Sequence, residues 1–264
     1  MTLVVKIGGA PGNESGPLFE DLAHRSDYVL VHGGSAEVDR LGSELGRPSE
    51  YYTSPSGVVS RRSDPPHLEV VVLALAGKVQ TELVAGLAQH GVPAIGLSGV
   101  DGSLLLARRK EGARAVRDGR VFHLHDERAG ALERVNGNLL RVLLAAHFAP
   151  VVGPPALTPD GEIVNVDADR VAARIAIDLG APDLVFLTNV PGLLRDPIDP
   201  GSRVGRIVRS EFEGAMALAR GRMRKKLVAV REALDGGVRR VCLASSQGPR
   251  PVERALGGEG TVFE

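Results

Sequence analysis

Short runs of apolar and β-branched residues alternate along the chain with longer segments whose apolar residues recur at helical spacing. Strands are predicted for TLVVKIGG, YVLVHGG, VPAIGLSG, APVVGPP, DLVFLTNVPG and RRVCLAS. Helices are predicted for SAEVDRLGSELG, HLEVVVLALAGKVQTELVAGLAQHG, ALERVNGNLLRVLLAAHF, DADRVAARIAIDLG and RMRKKLVAVREALDGG. Because strands and helices alternate and the strands are almost continuously apolar, we expect an α/β fold. Its open, mostly parallel sheet would be covered by helices on both faces.

One polar stretch, RRKEGARAVRDGRVFHLHDERAG, interrupts this alternation after SLLLA. Its Asp118-Gly119 pair is typical of a tight hairpin turn, so the stretch predicts a β-hairpin. His123 and His125 would share one face of that hairpin. Without further ligands nearby, a solvated or packed role is favoured over metal binding.

Composition narrows the class of protein. Lys plus Arg equals Asp plus Glu, at 32 each, which argues against a dedicated nucleic-acid or membrane-surface protein. The single cysteine, Cys242, can form no internal disulfide and suits a reducing compartment. No basic segment precedes an N-terminal apolar stretch, and no apolar run approaches the length that spans a bilayer. We therefore expect a cytoplasmic protein without a nucleic-acid or membrane partner.

Glycines follow several of the predicted strands, whereas GxxxxGK[ST] and GxGxxG are both absent. They are found at Gly8-Gly9, at Gly33-Gly34, at Gly99 and at Gly192. Ligands of open parallel sheets bind at the carboxyl ends of strands, and glycine lets a polyanion approach backbone N–H groups. Turns between strands and helices need glycine in any case, so each pair alone is ambiguous. Four such turns beside a lysine, Lys6, favour a phosphate site.

Charged residues near two helix starts are the other candidates. Lys226 follows Met223 by three residues in RGRMRKK and should turn toward the same, partly apolar face. Asn165 is placed as a helix N-cap, with Asp167 and Asp169 in the first turn. These residues can also be explained without a catalytic role. Lysines are usually solvated surface residues, and carboxylates in a first turn are favoured by the helix dipole.

The motifs KIGG, VHGGS, SRRSD, GLSGVDG, VNVDAD, LTNVPGLL, GRMRKK and GEGTVF occur in this order over essentially the whole chain. Together they resemble the amino acid kinase family, in particular its acetylglutamate kinase branch. The resemblance implies a three-layer α/β/α sandwich of the carbamate kinase-like type. Residues 1–160 would form an N-terminal lobe for the acyl substrate and dimerisation, and residues 161–264 a C-terminal lobe for ATP. Such enzymes transfer a phosphoryl group from ATP to a side-chain carboxylate and give an acyl phosphate.

The resemblance also assigns roles to residues. Lys6 and Lys226 would neutralise the transferring phosphoryl group, Asp169 would position both ammonium groups, and the paired glycines would donate N–H bonds. The implied substrate-binding residues are Gly33, Gly34, Arg61 and Asn165, and the implied phosphate- and ATP-binding residues are Gly8, Gly9, Thr188, Asn189 and Gly192. The implied cofactors are ATP and Mg²⁺, the metal ion bridging phosphates and taking few or no protein ligands.

The identity of the acid depends on SPSGVVSRRSD, in which Arg61 would pair with the substrate α-carboxylate. This segment departs from the acetylglutamate pattern, with Arg62 in an aliphatic place and Ser63 in place of threonine. The form SGxVSR, together with TNVPGLL, is similar to the LysW-aminoadipate kinases of the α-aminoadipate route to lysine. In that group the amino group of the substrate is masked by a small, strongly acidic carrier protein (LysW).

Residues 108–120 hold six basic residues against two acidic ones, so an acidic carrier could dock there, with Arg108, Arg109 and Lys110 as candidates. A merely solvated hairpin is the alternative, and RNA is disfavoured because aromatic residues are scarce. Two other functions stay open: acetylglutamate kinase of arginine biosynthesis, and a non-catalytic amino-acid-binding regulatory relative. Since the first strand begins near Met1, no N-terminal helix is expected of the kind through which arginine-inhibited members form hexamers. We expect an arginine-insensitive homodimer formed through LEVVVLALAGKV.

Overall fold

The predicted alternation of strands and helices is present in the computed structural model, which describes residues 2–55, 59–112, 114–117 and 120–264. The strands are β1 Leu3–Ile7, β2 Tyr28–His32, β3 Tyr51–Thr53, β4 Val59–Arg61, β5 Ala94–Ser98, β6 Leu105–Arg109, β7 Arg114–Arg117, β8 Arg120–His123, β9 Gly130–Val135, β10 Ala149–Gly153, β11 Ala156–Leu157, β12 Ile163–Val164, β13 Asp183–Thr188, β14 Arg206–Ile207, β15 Arg240–Ser245 and β16 Thr261–Phe263. The α-helices are α1 Gly16–Ala23, α2 Ser35–Glu44, α3 Pro65–Val72, α4 Gln80–Gln89, α5 Gly137–Ala145, α6 Ala168–Leu179, α7 Phe212–Leu218, α8 Gly221–Asp235 and α9 Pro251–Leu256. A π-helical segment, Leu73–Val79, joins α3 to α4.

The main sheet has the strand order β14-β16-β15-β13-β1-β2-β10-β5. All of its neighbouring strands are parallel except β15 and β16. The predicted α/β fold with an open, mostly parallel sheet is therefore confirmed. Because β1 lies between β2 and β13, the carboxyl ends of these three strands meet at the centre of one sheet edge.

Helices cover both faces of this sheet, and alternation along β1 decides which layer each side chain meets. Val4 packs into the layer that contains α6 and α8. Val5 packs into the opposite layer, with α1, α4 and α9. Lys6, two residues after Val4, therefore faces α6 and α8.

Two smaller sheets lie beside the main one, with the strand orders β12-β11-β6-β9 and β4-β3-β7-β8. The predicted hairpin is confirmed, since β7 and β8 pair antiparallel from Arg114 and His123 onward. Its expected turn, Asp118-Gly119, lies outside the described residues. Arg108 and Arg109 were wrongly assigned to this hairpin, because β6 continues to Arg109 and pairs with β9 in the other small sheet.

The segment ALERVNGNLLRVLLAAHF is a helix only in its second part. Its first residues belong to β9, which pairs with β6, and α5 begins at Gly137. The prediction of one continuous helix was wrong because Asn136 separates the two elements. Its side chain accepts a hydrogen bond from Leu139 N and so caps the new helix.

The helix Pro65–Gln89, which comprises α3, the π-helical segment and α4, is long and apolar enough to cross a membrane by length and composition alone. The expectation that no such stretch exists was wrong, because Glu69 and Lys78 interrupt the apolar runs but not the helix. Val70, Val71, Ala74 and other residues of its inner face are buried in the core. Buried core helices pass the same test of length and composition.

Candidate active site

Three charged side chains meet at the central carboxyl edge of the main sheet. Lys6 Nζ lies 2.7 Å from Asp169 Oδ1, and Lys226 Nζ lies 3.0 and 2.9 Å from the two oxygens of the same carboxylate. Both lysine side chains are buried, and the Asp169 side chain is 13% exposed. The three proposed catalytic residues are thus brought together from β1, α6 and α8.

The start of α6 explains how Asp169 reaches the lysines. Asp167 is the N-cap, and its side chain accepts hydrogen bonds from Asp169 N at 2.9 Å and Arg170 N at 3.1 Å. The prediction of Asn165 as N-cap was wrong, because its backbone is extended and pairs with Arg128 and Gly130. Asp169 then occupies the first turn and points toward β1.

Electrostatics keep the Asp169 carboxyl ionised despite its burial. Burial alone would raise the pKa of the Asp169 carboxyl, but the ammonium groups of Lys226 and Lys6 outweigh it and keep that pKa well below its ordinary range. Burial lowers the pKa of Lys226, against the opposing attraction of Asp169. Two ammonium groups around one carboxylate leave an excess of positive charge, which suits a polyanionic ligand.

Two glycine loops face each other above these lysines. A Cβ on Gly9 would lie 2.2 Å from Gly34 N, so only glycine allows the loops to approach this closely. Ser35 is the first residue of α2, and its Oγ donates to Gly9 O at 3.1 Å, which ties the loops together.

Backbone N–H groups of these loops differ in their availability. Gly8 N donates to Leu187 O at 2.9 Å, and Gly33 N donates to Ile7 O at 3.3 Å, so both extend the sheet pairing. Gly9 N and Gly34 N have no hydrogen-bond partner within the described part of the chain. Of the four glycines expected to donate to phosphate, Gly9 and Gly34 therefore present free donors.

Arg61 ends β4 and lies beside α2. Its Nη2 donates to Asp39 Oδ1 at 2.7 Å, to Tyr51 Oη at 2.9 Å and to Ser35 O at 3.1 Å. Its Nε is buried and finds no hydrogen-bond partner in the described ranges. Nη2 is thus held by three acceptors, while the neighbouring Nε, on the same edge of the guanidinium, is left unpaired among the described residues.

Asn165 is joined to the same segment through Ser63. Its Nδ2 donates to Ser63 Oγ at 3.1 Å, and Ser63 N donates to Glu127 Oε1 at 2.9 Å. Glu127 is buried, and burial raises its pKa. The two expected substrate-binding residues, Arg61 and Asn165, therefore flank one short stretch of chain.

Three of the expected nucleotide-binding residues, Thr188, Asn189 and Gly192, lie at the end of β13 and in the loop after it. Thr188 Oγ1 donates to Val190 O and accepts from Val190 N, both at 3.0 Å, and so closes a tight turn. Asn189 Nδ2 donates to Pro11 O at 3.0 Å, which anchors the loop after β1. Gly192 has φ 151°, and a Cβ there would lie 2.6 Å from Thr261 Oγ1. These contacts fix the conformation of the loop that follows β13 at the carboxyl edge of the main sheet.

Three further residues of the site were not identified from the sequence. Lys225, next to Lys226, is half-buried, and its Nζ donates to Ser60 Oγ at 3.2 Å, which links α8 to β4. Ser246 and Gln247 follow β15 and bind the loop after β1, at Asn13 and Gly12. Lys225 could have been identified from the sequence, because it is adjacent to Lys226 and two neighbouring residues of a helix cannot both face the core.

Arg108 and Arg109 point to opposite faces of β6. The Arg108 side chain is 67% exposed and pairs with Glu133. Arg109 Nε donates to Glu127 O at 2.9 Å, so this side chain supports the fold near Ser63. Lys110 is exposed. Arg108 and Lys110 are thus the more accessible of the three candidates for docking a carrier.

No group of three or more His, Cys, Asp or Glu side chains that could hold a metal ion occurs among the described residues. The stacked rings of His123 and His125, with centroids 6.4 Å apart, form no such group. The nearest carboxylate to the lysines, Asp169, is already engaged by both of them. This donor set fits a metal ion held by phosphate oxygens and not one held by protein carboxylates.

Comparison with known proteins gives matches over nearly the whole chain. Residues 1–245 match the model of the amino acid kinase family. A [LysW]-aminoadipate kinase from Thermus thermophilus is 42% identical, over 98% of this chain and 99% of the relative. One from Deinococcus radiodurans is 41% identical, over 98% of this chain and 90% of the relative. An acetylglutamate kinase from Methanopyrus kandleri is 37% identical, over 98% of both chains.

Solved structures agree on the fold. An N-acetylglutamate synthase from Neisseria gonorrhoeae has a TM-score of 0.79 and 27% identity, over 99% of this chain and 59% of that one. A carbamate kinase from Giardia lamblia has a TM-score of 0.66 and 13% identity, over 99% of this chain and 98% of that one. At 13% identity the second likeness concerns the fold alone.

Proposed function

Because the chain belongs to the amino acid kinase family, we propose that it transfers the γ-phosphoryl group of ATP to a side-chain carboxylate. The acceptor is α-aminoadipate linked to a small acidic carrier protein of the LysW type, and the product is an acyl phosphate in lysine biosynthesis. One observation carries the proposal: Lys6 and Lys226 converge on Asp169 at the carboxyl edge of the sheet. A non-catalytic binding protein would have no need to bury two lysines around one carboxylate.

The chemistry asks for positive charge and not for a base. An acceptor carboxylate is already ionised at pH 7, so its attack brings two anions together. Lys6 and Lys226 neutralise the charge that spreads over the transferring oxygens, and Asp169 keeps both ammonium groups in place. The free N–H groups of Gly9 and Gly34 add hydrogen bonds at the same point. Magnesium bound with ATP supplies further neutralisation of the phosphates.

Arg61 and Asn165 would select the acceptor. The guanidinium of Arg61 suits a substrate α-carboxylate, because an arginine already held by Asp39 and Tyr51 loses little entropy on binding. Asn165 would bind the amide that masks the amino group. Thr188, Asn189 and Gly192, on the other half of the edge, would line the nucleotide site.

Carrier-linked aminoadipate is preferred to free acetylglutamate on two grounds. Two relatives above 40% identity are named for the carrier-linked substrate. Exposed Arg108 and Lys110 also offer positive charge to an acidic partner. They lie near the Arg61–Ser63 segment, because Arg109 and Ser63 both donate hydrogen bonds to Glu127. Acetylglutamate kinase activity is the alternative, and the acetylglutamate relative at 37% identity favours it over any unrelated reaction.

We also propose two lobes, 1–160 for the acyl substrate and 161–264 for ATP, in a cytoplasmic homodimer that binds neither nucleic acid nor membrane. An apolar groove lined by Pro65, Leu68, Val72, Leu73 and Ile163 runs along α3, and a second copy of the chain would cover it. Light scattering would test this. Leu73→Glu should give monomers, whereas Leu45→Glu, at a similarly exposed position on the end of α2, should not. A monomeric parent protein would refute the dimer.

Hydroxylamine trapping tests the proposed function directly, because an acyl phosphate reacts to give a hydroxamate, whose iron(III) complex is coloured. We expect ATP-dependent hydroxamate from carrier-linked aminoadipate and little from free N-acetylglutamate at equal concentration. The opposite ratio would establish the acetylglutamate alternative. No hydroxamate from either substrate, with folded protein and MgATP present, would refute a carboxylate kinase.

A further inference from the structure

A buried histidine lies directly behind the Gly33-Gly34 loop. His32 is the last residue of β2 and is fully buried. Alternation along β2 turns its side chain toward the layer that contains α4, away from the lysines. Its Nδ1 lies 3.3 Å from Gly33 O, and its Nε2 lies 3.3 Å from the side-chain amide of Gln80, the first residue of α4. His32 thus connects α4 to the glycine loop.

Gln80 is itself held by the free edge of the main sheet. β5 is the edge strand, so the outward backbone groups of Leu97 have no neighbouring strand. In the amide orientation that satisfies them, Gln80 donates to Leu97 O at 3.2 Å and accepts from Leu97 N at 2.6 Å. The amide nitrogen then also faces His32 Nε2. Nε2 is therefore an acceptor, and the ring proton lies on Nδ1 and is donated to Gly33 O.

Two glycines provide the space for this pair of side chains. A Cβ on Gly153 of β10 would lie 2.3 Å from His32 Nε2, and one on Gly96 of β5 would lie 2.7 Å from the Gln80 amide. Any side chain at either position would displace the pair. The sheet is therefore built around His32 and Gln80, which distinguishes them from polar residues that merely fill a gap.

The hydrogen bond to Gly33 O sets the direction of a donor on the other side of the same peptide group. In a trans peptide the carbonyl oxygen and the following N–H point in opposite directions, so holding Gly33 O toward His32 turns Gly34 N–H away from it. Gly34 N lies directly against Gly9, since a Cβ on Gly9 would be 2.2 Å from it. Behind it, a Cβ on Gly34 would lie 2.4 Å from Leu75 Cδ2 of the π-helical segment, which blocks retreat of the loop.

The protonation state supports this geometry. Burial lowers the pKa of His32, against the raising effect of its bonds to Gln80 and Gly33, and the charge of Lys6 lowers it further. The imidazole is therefore neutral at pH 7 and has a single N–H to donate. That N–H goes to Gly33 O, because Gln80 occupies the other ring nitrogen.

We propose that His32, held by Gln80, is a positioning residue that aims Gly34 N–H at the oxygens of the reacting groups. The inference rests on the proposed carboxylate kinase function, in which this donor stabilises developing negative charge. Losing one such donor typically costs about 100- to 1,000-fold in kcat, and misdirecting it should cost part of that.

His32→Leu and His32→Asn test the proposal as a pair. Leucine removes the donor, whereas the asparagine amide nitrogen takes roughly the place of Nδ1. We expect His32→Leu to lower kcat for hydroxamate formation by about 10- to 100-fold with little change in KM for ATP, and His32→Asn to recover most of it. A packing role predicts the reverse order, because asparagine leaves the larger cavity and buries an amide.

His90 provides the control, since its Nδ1 also lies close to a backbone oxygen, that of Gly86, at 2.9 Å, but at the opposite end of α4 from Gln80. His90→Leu and His90→Asn should both keep the kcat of the parent. If His32→Leu fails to fold, Gln80→Leu is tested in its place, with Gln89→Leu as its control. We expect kcat to fall in Gln80→Leu and to stay at the parent value in Gln89→Leu.

Equal kcat in His32→Leu and His32→Asn, or a lower kcat in His32→Asn, would overturn the positioning role. In the replacement pair, unchanged kcat in Gln80→Leu would overturn it as well. These outcomes are read against an active parent protein. Absence of hydroxamate in the parent itself would instead refute the kinase function on which the inference rests.

Discussion

Asp169 holds Lys226 through both of its carboxylate oxygens, at 3.0 and 2.9 Å from Nζ. The same carboxylate holds Lys6 at 2.7 Å, so two ammonium groups from different layers of the fold share one anchor. Neither lysine needs to reorganise when a phosphoryl group arrives between them, which is the condition under which fixed charges lower a barrier most.

Removal of either ammonium group should therefore act on the chemical step. We expect Lys226→Ala and Lys6→Ala each to lower kcat by about 100-fold or more while KM for the acyl substrate changes little. Arg141→Ala, at an exposed arginine paired with Asp178, serves as the control and should keep full activity. Steady-state kinetics of hydroxamate formation measures this, and undiminished kcat in both active-site variants would contradict the site assignment.

Asp169 should also make stability depend on pH in the acid range. Its folded pKa lies below the unfolded value of about 3.9, so the unfolded chain takes up the proton first as the pH falls. The stabilising contribution is thus complete above about pH 5 and is lost as the pH falls through 3.9 toward the folded pKa.

Urea denaturation of the parent and of Asp169→Asn at a series of pH values measures this dependence. We expect the difference in unfolding free energy between the two proteins to be largest near neutral pH and to shrink steadily below about pH 5. A difference that stays constant or grows on acidification would show that the carboxylate is not held ionised by the two lysines.

Arg61→Lys should separate the acyl site from the nucleotide site. Lysine keeps the charge but cannot hold Asp39 and Tyr51 on one side while presenting a second donor to a carboxylate. We expect KM for the acyl substrate to rise by about 10-fold or more and KM for ATP to stay the same. Arg47→Lys, at an exposed arginine paired with Glu69, should change neither value. A rise in KM for ATP alone would contradict the assignment of Arg61 to the acyl substrate.

Six strands of the main sheet were predictable because each is an apolar run ended by glycine or a turn, and Lys6 could be placed because strand alternation is regular. The two short strands β14 and β16 were not predicted, since two or three residues carry too little of that pattern. The same pattern failed at β9, since ALERV has apolar residues at a spacing that suits either a strand or a helix. The pairing with β6 decided in favour of the strand.

Features that depend on contacts between distant elements could not be predicted. Asn165 and Asp167 are both good capping residues, and the backbone pairing of Asn165 left the cap to Asp167. The contact between Gln80 and His32 joins residues 48 positions apart on different elements, which no apolar periodicity reveals. The free N–H groups of Gly9 and Gly34 likewise depend on which glycines continue the sheet.

Charge near the acyl site gives the last prediction, which concerns the carrier. Arg108 and Lys110 are exposed, and Arg109 is excluded from the test because it supports the backbone at Glu127. Exposed complementary charges act mainly on the rate of encounter. The double variant Arg108→Glu with Lys110→Glu should therefore raise KM for the carrier-linked substrate by about 10-fold and leave KM for ATP unchanged.

Salt separates a docking surface from a merely solvated one. Raising ionic strength from low to physiological values should increase KM for the carrier-linked substrate in the parent and barely in the double variant, because a Debye length of about 8 to 10 Å screens such attraction. A charge-matched control, Arg141→Glu with Arg206→Glu, changes two exposed arginines on α5 and β14 and should keep the parent's salt response. If all three proteins share one KM and one salt response, these residues do not dock the carrier. If the control instead responds like the double variant, net charge and not this surface governs the encounter.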